Sequence, residues 1–427
     1  MTRLALRALA LASLAVACDL GGGNWDARAL APYGLALIAW FAGEWRGNRA
    51  GLHDAAFACA CLAGLSLGEL AWPHVPEAAL WKEAWPWRLE GAVALAGAIL
   101  LWRRPRWSFA LVPALLAVGV AARVLAIGVA PAPLIDVWAA NESATRWLLA
   151  GVNPYLHRVP DVYQGESLAV FGYVVDAYAY PPANLYAFAP SVLALGDTRY
   201  ALVAAELLGL AALWWLVVRR HPSRPAVEAM LLGYYLQPAA PHAVAQAWTE
   251  PLVVGALALS AALLTTRRER AFAIALGIAL SLKQYLFTLG NAATLTLRRW
   301  WTLAVSALVA LATLAPFLSE PRALVSALTQ QSRLPYLAYN LSLNSALQHF
   351  AGVHLPVAPV SLALATVGLA VPFLRRVERV WAWNASVYAT LFALTYAFYN
   401  QHAFVGALML LATATEVSPS HTSSARP

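Results

Sequence analysis

Residues 136–155 read DVWAANESATRWLLAGVNPY, directly beyond the long apolar stretch from Trp107 to Ala130. Val137, Ala140, Ala144, Trp147 and Leu148 recur at helical spacing, with Glu142, Ser143 and Arg146 on the other side. That pattern predicts an amphipathic helix lying along an interface. Gly151 and then Asn153-Pro154 end it. Asp136, at its head, reads as an N-cap, for which Asp is a preferred residue. A capping carboxylate is also free to face a substrate as a general base, and the two readings are compatible.

Working outward, the composition names the solvent. Hydrophobic residues make up 61% of the 427 and charged residues 12%, with a mean hydropathy of +0.61. A soluble domain carries roughly 25% charge, so the sequence predicts an all-α polytopic integral membrane protein. The net charge of +8 is not a nucleic-acid footprint, because the basic residues fall in short clusters between apolar spans. These clusters are Arg3/Arg7, Arg46/Arg49, Arg103/Arg104/Arg106, Arg219/Arg220/Arg224, Arg267/Arg268/Arg270, Arg298/Arg299 and Arg375/Arg376/Arg379. Each is expected to hold its loop on the cytoplasmic side.

Between them run spans at 4–20, 29–43, 53–71, 89–102, 107–130, 199–218, 226–240, 242–265, 271–282, 284–297, 300–318, 356–374, 380–397 and 402–415. This is a bundle of about 13–14 transmembrane helices. Several spans fall short of the roughly 20 residues a perpendicular helix needs, so 271–282 and 284–297 are expected to be broken or tilted. The apolar run Pro182 to Gly196 contains Pro182 and Pro190. Read as re-entrant or interfacial rather than crossing, it leaves all seven clusters on one side. Residues 131–198 and 319–355 then form two outward loops with interfacial helices. Residues 1–106 supply four spans of unassigned role, and 107–427 form the module that carries the candidate chemistry.

The N-terminus, with Ala15-Val16-Ala17-Cys18 after a basic start, reads as a first membrane helix or as a cleaved signal. Cys18, Cys59 and Cys61 lie in or beside apolar spans and imply neither a disulfide framework nor zinc. The sequence contains no Walker A loop, dinucleotide fingerprint or H-E-x-x-H, so ATP-driven work and zinc proteolysis lose support. His157, His242, His349, His354 and His402 lack clustered ligand spacing. No cofactor and no obligatory metal are expected.

Other residues stand out beside Asp136. Tyr178-Ala179-Tyr180-Pro181-Pro182 fixes an extended entry into a helix, with aromatics suited to stacking on a sugar face or to an interfacial belt. The chain has 27 arginines and two lysines. Lys283, between apolar halves, is therefore either a functional intramembrane cation, a snorkelling side chain, or the partner of Glu250. Glu250, before Pro251, reads as a cap, as that partner, or as a reader of substrate hydroxyls. Tyr339 to Ser345 and Asn400-Gln401-His402 add polar side chains that serve as caps or ligands.

In this order, the outward Asp136, its amphipathic helix, Leu148 to Tyr155, Tyr-Pro-Pro, Lys283-Gln284-Tyr285 and Asn340 to Leu343 resemble the GT-C glycosyltransferases. Within them the likeness is to the polyprenyl-phosphate-mannose-dependent mannosyltransferase branch, GT87, over about residues 107–415. The resemblance implies inverting transfer of a hexose, mannose first, from a polyprenyl-phosphate donor to a hydroxyl on a lipid or glycan acceptor. The reaction would take place at the outer face of a bacterial plasma membrane, among membrane lipids and without nucleic acid. It implies Asp136 as general base and Lys283, with Gln284 and Tyr285, as the holder of the donor phosphate. Tyr155, Tyr180, Glu250, Asn340 and His349 are the implied substrate contacts. The sequence departs from the family pattern: no acidic residue adjoins Asp136, and the basic residue of the second loop is Arg333, His349 or absent. A lipid-linked glycan ligase, kept alive by Arg146, Arg158, Arg322 and Arg333, and a polytopic transporter or flippase are the alternative readings. A structural membrane subunit is disfavoured by the polar outward loops.

Overall fold

The computed structural model describes residues 1–21, 25–45, 53–71, 85–165, 176–221, 224–237, 240–292, 299–330, 339–374, 377 and 379–416. Arg46, Arg49, Arg298, Arg333, Tyr336, Arg375 and Arg376 lie outside them. The described chain is helical, with no strand. Its helices are α1 (Arg3–Gly21), α2 (Leu30–Trp45), α3 (Asp54–Ala71), α4 (Trp85–Arg103), α5 (Ser108–Val129) and α6 (Asp136–Leu149). Then come α7 (Ala183–Leu195), α8 (Arg199–Arg220), α9 (Arg224–Tyr235), α10 (Ala240–Ala245), α11 (Glu250–Thr265) and α12 (Glu269–Leu280). The last are α13 (Trp300–Leu314), α14 (Pro321–Leu328), α15 (Leu343–Ala351), α16 (Val357–Leu374), α17 (Val380–Leu394) and α18 (Tyr399–Ala414).

Most of these follow the apolar stretches, and two do not. The span expected at 242–265 is cut by a turn between α10 and α11, where Ala247 takes a φ of 57°. The span expected at 284–297 begins instead as a 3-10 segment, Gln284–Gly290. The first break falls just before Glu250-Pro251, a cap position in the sequence, and the second falls between spans expected to be broken; the 3-10 form itself leaves no mark in an apolar run, because helix and 3-10 backbone bury the same side chains. Among the described residues three helices are long and apolar enough to cross a membrane, at 105–129, 199–219 and 300–317. Shorter apolar helices include 54–67, 183–195, 250–265 and 357–372.

The helices pack chiefly as sequential neighbours, α1 on α2, α3 on α4, α11 on α12 and α17 on α18, with α8 against α11 and α9 against α3 as longer-range contacts. Short connections make antiparallel neighbours the economical arrangement. Glycine lets α8 and α11 approach: a Cβ on Gly255 would sit 2.2 Å from the Ala205 carbonyl oxygen. One core runs from Ala8 to Ala414 and includes side chains of α1 to α4.

The two ends of the bundle differ in chemistry. At one, Arg7 Nη2 meets Glu44 at 2.6 Å and Glu416 at 2.8 Å, and Arg379 meets Glu44 at 2.7 Å. This joins the start of α1, the end of α2, the approach to α17 and the end of α18. At the other end, the Trp25 N–H donates to the Tyr339 carbonyl at 2.7 Å, and the Ala397 N–H donates to Asn340 Oδ1 at 3.2 Å. Near α7, the Tyr186 hydroxyl donates to the Thr313 carbonyl at the close of α13, and at the start of α8 Arg199 Nη1 donates to the Ala130 carbonyl after α5, at 2.6 Å. α6, α7 and α14 share a small separate core of Ala140, Ala144, Tyr155, Tyr178, Leu185 and Leu324.

Candidate functional site

Asp136 is the first residue of α6. The cap position belongs to Ile135, whose backbone is extended, and Asp136 Oδ1 accepts the Val137 N–H at 2.8 Å. The amphipathic reading of α6 is met only in part: Ala140 and Ala144 are buried and Arg146 is exposed, but Glu142, read on the polar side, is buried and pairs with Arg146, while Val137, Trp147 and Leu148 are half-buried. Glu142 Oε2 also accepts the Thr198 N–H, which ties α6 to the start of α8. Burial raises the Asp136 carboxyl above the usual carboxylate range, against the lowering effect of the Val137 N–H.

The Tyr178 to Pro182 stretch is held from both flanks. The Tyr155 hydroxyl donates to the Tyr180 carbonyl at 2.7 Å. Gln284 Nε2 donates to the Ala179 carbonyl at 2.6 Å, and Asn184 Nδ2 donates to the Leu282 carbonyl at 2.7 Å. These bonds bind the Tyr-Pro-Pro segment to the Lys283-Gln284-Tyr285 segment although they are far apart in sequence. The tandem prolines have no N–H of their own to contribute, so side-chain amides and a tyrosine take over.

Lys283 is buried, and its Nζ lies 3.1 Å from Glu250 Oε1. The Tyr285 hydroxyl donates to the same oxygen at 3.1 Å. The ammonium sits over the Tyr180 ring, 4.6 Å from its centroid, a cation–π contact. Burial, followed by the nearby Asp136 and Glu250 carboxylates, pushes the Tyr180 phenol well above its ordinary pKa. Tyr180 is thus a neutral phenol that feels the charge of both carboxylates, with the lysine over its ring.

Of the residues picked from sequence, Tyr180, Glu250, Lys283 and Tyr285 are in contact, and Asp136 is near enough to add its charge to burial in raising the Tyr180 phenol. The Gln284 amide nitrogen donates to the Ala179 and Leu328 carbonyls. Tyr155 is a strut for Tyr180. Asn340 and His349 sit elsewhere at the loop end. Asn340 is buried against Ala397, and the exposed His349 ring stacks on Trp25 at 4.2 Å. The second loop is split between two anchorages: α14 covers Tyr155 and Phe317, whereas 339–355 covers α17 and α18. Loop length in a sequence carries no sign of such a split.

Sequence reasoning also passed over a second set of buried charges. Arg123 lies within α5 and is fully buried, 2.8 Å from Glu206 of α8 and 3.5 Å from Glu90 of α4, and it also lies over the Tyr235 ring. Its signal was present, because Arg123 and Glu206 stand inside apolar spans as Lys283 does. Another is Arg199, which is buried and holds the Ala130, Pro131 and Ala245 carbonyls while pairing with Asp197. Among the described residues no group of three or more His, Cys, Asp or Glu is placed to hold a metal.

No protein-family model, curated protein or solved structure matches this chain. The functional reading therefore rests on the residues and their geometry.

Proposed function

We propose that the chain is a multi-pass membrane glycosyltransferase of the GT-C kind, with its site on the outer face of a bacterial plasma membrane. The reading is supported by apolar side chains left facing outward, such as Leu308, Leu311 and Leu362, each about two-thirds exposed. It is supported too by the contrast between the arginine end and the loop end. About 13–14 crossings, several by short or broken helices, fit that arrangement.

The observation that carries the reaction is Tyr180, whose ring lies under the Lys283 ammonium at 4.6 Å and whose phenol is raised by burial and then by the nearby Asp136 charge. It pairs a base with a cation at one end of the bundle, which is what inverting transfer from a phosphate donor requires. Asp136 takes the proton of the acceptor hydroxyl. The hydroxyl oxygen attacks the anomeric carbon, the bond from that carbon to the phosphate oxygen breaks, and polyprenyl phosphate leaves with the bonding electrons. Lys283 keeps N–H donors beyond the one directed at Glu250, and these meet the charge gathering on the phosphate. A hexose, mannose first, is the donor sugar, and a lipid or glycan hydroxyl is the acceptor.

The test is transfer by purified protein in lipid, using a panel of radiolabelled polyprenyl-phosphate sugars with membrane extract as acceptor. Label should pass to a new product with wild type and not with Asp136→Asn. Transfer by no donor, or equal transfer by the variant, would sink the proposal. The Glu90–Arg123–Glu206 layer favours a second reading, a transporter, because ions buried within a bundle also mark ion paths.

A further inference from the structure

α11 starts beside Asn400 at the head of α18, so its last turn reaches the arginine pole, where Glu416 follows α18. There α11 ends as α12 and α13 begin, and an open cleft of about 710 Å³ lies between these ends. That volume is within the roughly 300–1,000 Å³ of small-molecule sites. Arg267, Arg268, Arg270, Arg299, Glu269 and Trp301 line it. Arg299 Nη1 pairs with Glu269 Oε2 at 2.6 Å, which uses the one acid of the lining. Among the described residues Arg267, Arg268 and Arg270 have no ion-pair partner, and all three are exposed. By contrast, Arg7 and Arg379 share Glu44 and Glu416, and Arg224 has Glu228. Four guanidinium groups against one carboxylate leave the cleft strongly cationic.

The backbone places one of these arginines where another residue would fit better. Arg267 closes α11 in the left-handed region, with φ of 59°. Its N–H donates to the Leu264 carbonyl at 2.9 Å, and the Arg268 N–H donates to the Leu263 carbonyl at 3.0 Å. Helices usually set glycine at this position. Arg268 and Arg299, which precede α12 and α13, make no side-chain cap, so the first-turn N–H groups of both helices add partial positive charge. From the cleft α12 and α13 run side by side: Ser306 Oγ donates to the Ala273 carbonyl at 2.8 Å, and a Cβ on Gly277 would sit 2.6 Å from the Ser306 carbonyl oxygen. Further along the same two helices Ile274, Ile278, Leu308 and Leu311 are exposed. Trp300 and Trp301, also exposed, stand at the head of α13, as aromatics do at headgroup level. A free anion would engage the arginines and leave the apolar side chains bare, whereas a phospholipid engages both. We infer that the cleft binds the phosphate headgroup of one anionic phospholipid, with Arg267, Arg268 and Arg270 as its phosphate contacts.

The site shares with the proposed transfer reaction only the membrane setting, and its test reads no transfer activity. The full chain in a neutral detergent is titrated with phosphatidylglycerol or with phosphatidylcholine, and bound lipid is counted by native mass spectrometry. Phosphatidylglycerol should saturate at one tightly held molecule and bind at least about tenfold more tightly than phosphatidylcholine, whose choline cancels the phosphate charge. Arg270→Gln and Arg267→Gly should each weaken phosphatidylglycerol by about fivefold. Glycine adopts the Arg267 backbone freely, so that variant should melt no lower than wild type in lipid-free detergent. Arg104→Gln removes an exposed charge outside the cleft and should leave the affinity within about twofold. Equal affinity for the two lipids would overturn the site. So would unchanged binding by Arg267→Gly and Arg270→Gln, or an equal loss in all three variants, which would assign the attraction to the general charge of the pole. Displacement of phosphatidylglycerol by inorganic phosphate at equal concentration would overturn the lipid as its occupant.

Discussion

At the scale of single residues, Asp136 and Lys283 meet opposite demands. Asp136 carries a carboxyl whose pKa is raised by burial, so the folded protein holds its proton to higher pH than the unfolded chain does. Its ionised form therefore weakens the fold: stability is lost as pH rises from the ordinary carboxylate value through the raised one. Asp136→Asn removes that penalty and is expected to unfold at the same or a higher temperature near pH 7 while losing transfer. A thermal melt run beside the transfer assay checks both halves. The raised pKa also means that wild-type kcat/KM falls on acidification before ordinary carboxylates titrate, which a pH–rate profile reads directly. Lys283 is different, since removing it strands Glu250 in the interior. Lys283→Ala should cost about 3–5 kcal/mol and lower kcat/KM at least about tenfold. Lys283→Met combined with Glu250→Leu should regain most of the stability and none of the transfer. Denaturation midpoints of the single and double variants that simply add would remove the pair from the account.

Two turns and one contact carry the argument at the scale of elements. Ala247 lies in the left-handed region with φ of 57°, in the turn that separates α10 from α11 and sets Glu250 at a helix start. The turn is held by Asn141 of α6, whose Nδ2 donates to the Ala247 carbonyl at 3.1 Å. Ala247→Gly should stabilise the protein by about 1 kcal/mol, because glycine adopts that backbone without the Cβ clash. An unchanged or lower melting temperature would argue against strain there. Gly255 is the reverse case: its neighbour at 2.2 Å is backbone, which cannot rotate aside. Gly255→Ala should cost about 1–3 kcal/mol by forcing α8 from α11, measured as a drop in melting midpoint. The break before α11 is marked by Pro251 at the helix start, and the interruption at Lys283 is expected from the short spans either side of it, whereas the 3-10 backbone after Lys283 leaves no mark in the apolar run.

For the whole molecule, the arrangement of ends makes the sharpest prediction. The ionic group of Arg7, Glu44, Arg379 and Glu416 gathers four helix ends at one pole, and Trp25, Asn340 and Ala397 gather at the other. In a cysteine-free background, His354→Cys should react with a membrane-impermeant thiol reagent added outside intact cells. Arg268→Cys should react only after the membrane is permeabilised. Both positions are exposed, so burial does not confuse the result. Equal labelling of both from outside would overturn the proposed sidedness and the site's outward placement together.

The sequence by itself determined the helical class and apolar helices long enough to cross a membrane, because both depend on composition and on where arginines interrupt apolar runs. It also singled out Asp136, Tyr180, Glu250, Lys283 and Tyr285, since a charge or tandem proline in an apolar setting is conspicuous without a partner. Tertiary structure alone decided which of them meet. That Lys283 spends part of its charge on Glu250, that Gln284 serves as a clamp and that His349 stacks on Trp25 depend on contacts between segments far apart in the chain. Pairing is a property of distance in space, and an apolar run records only that a segment is buried, not what it is buried against.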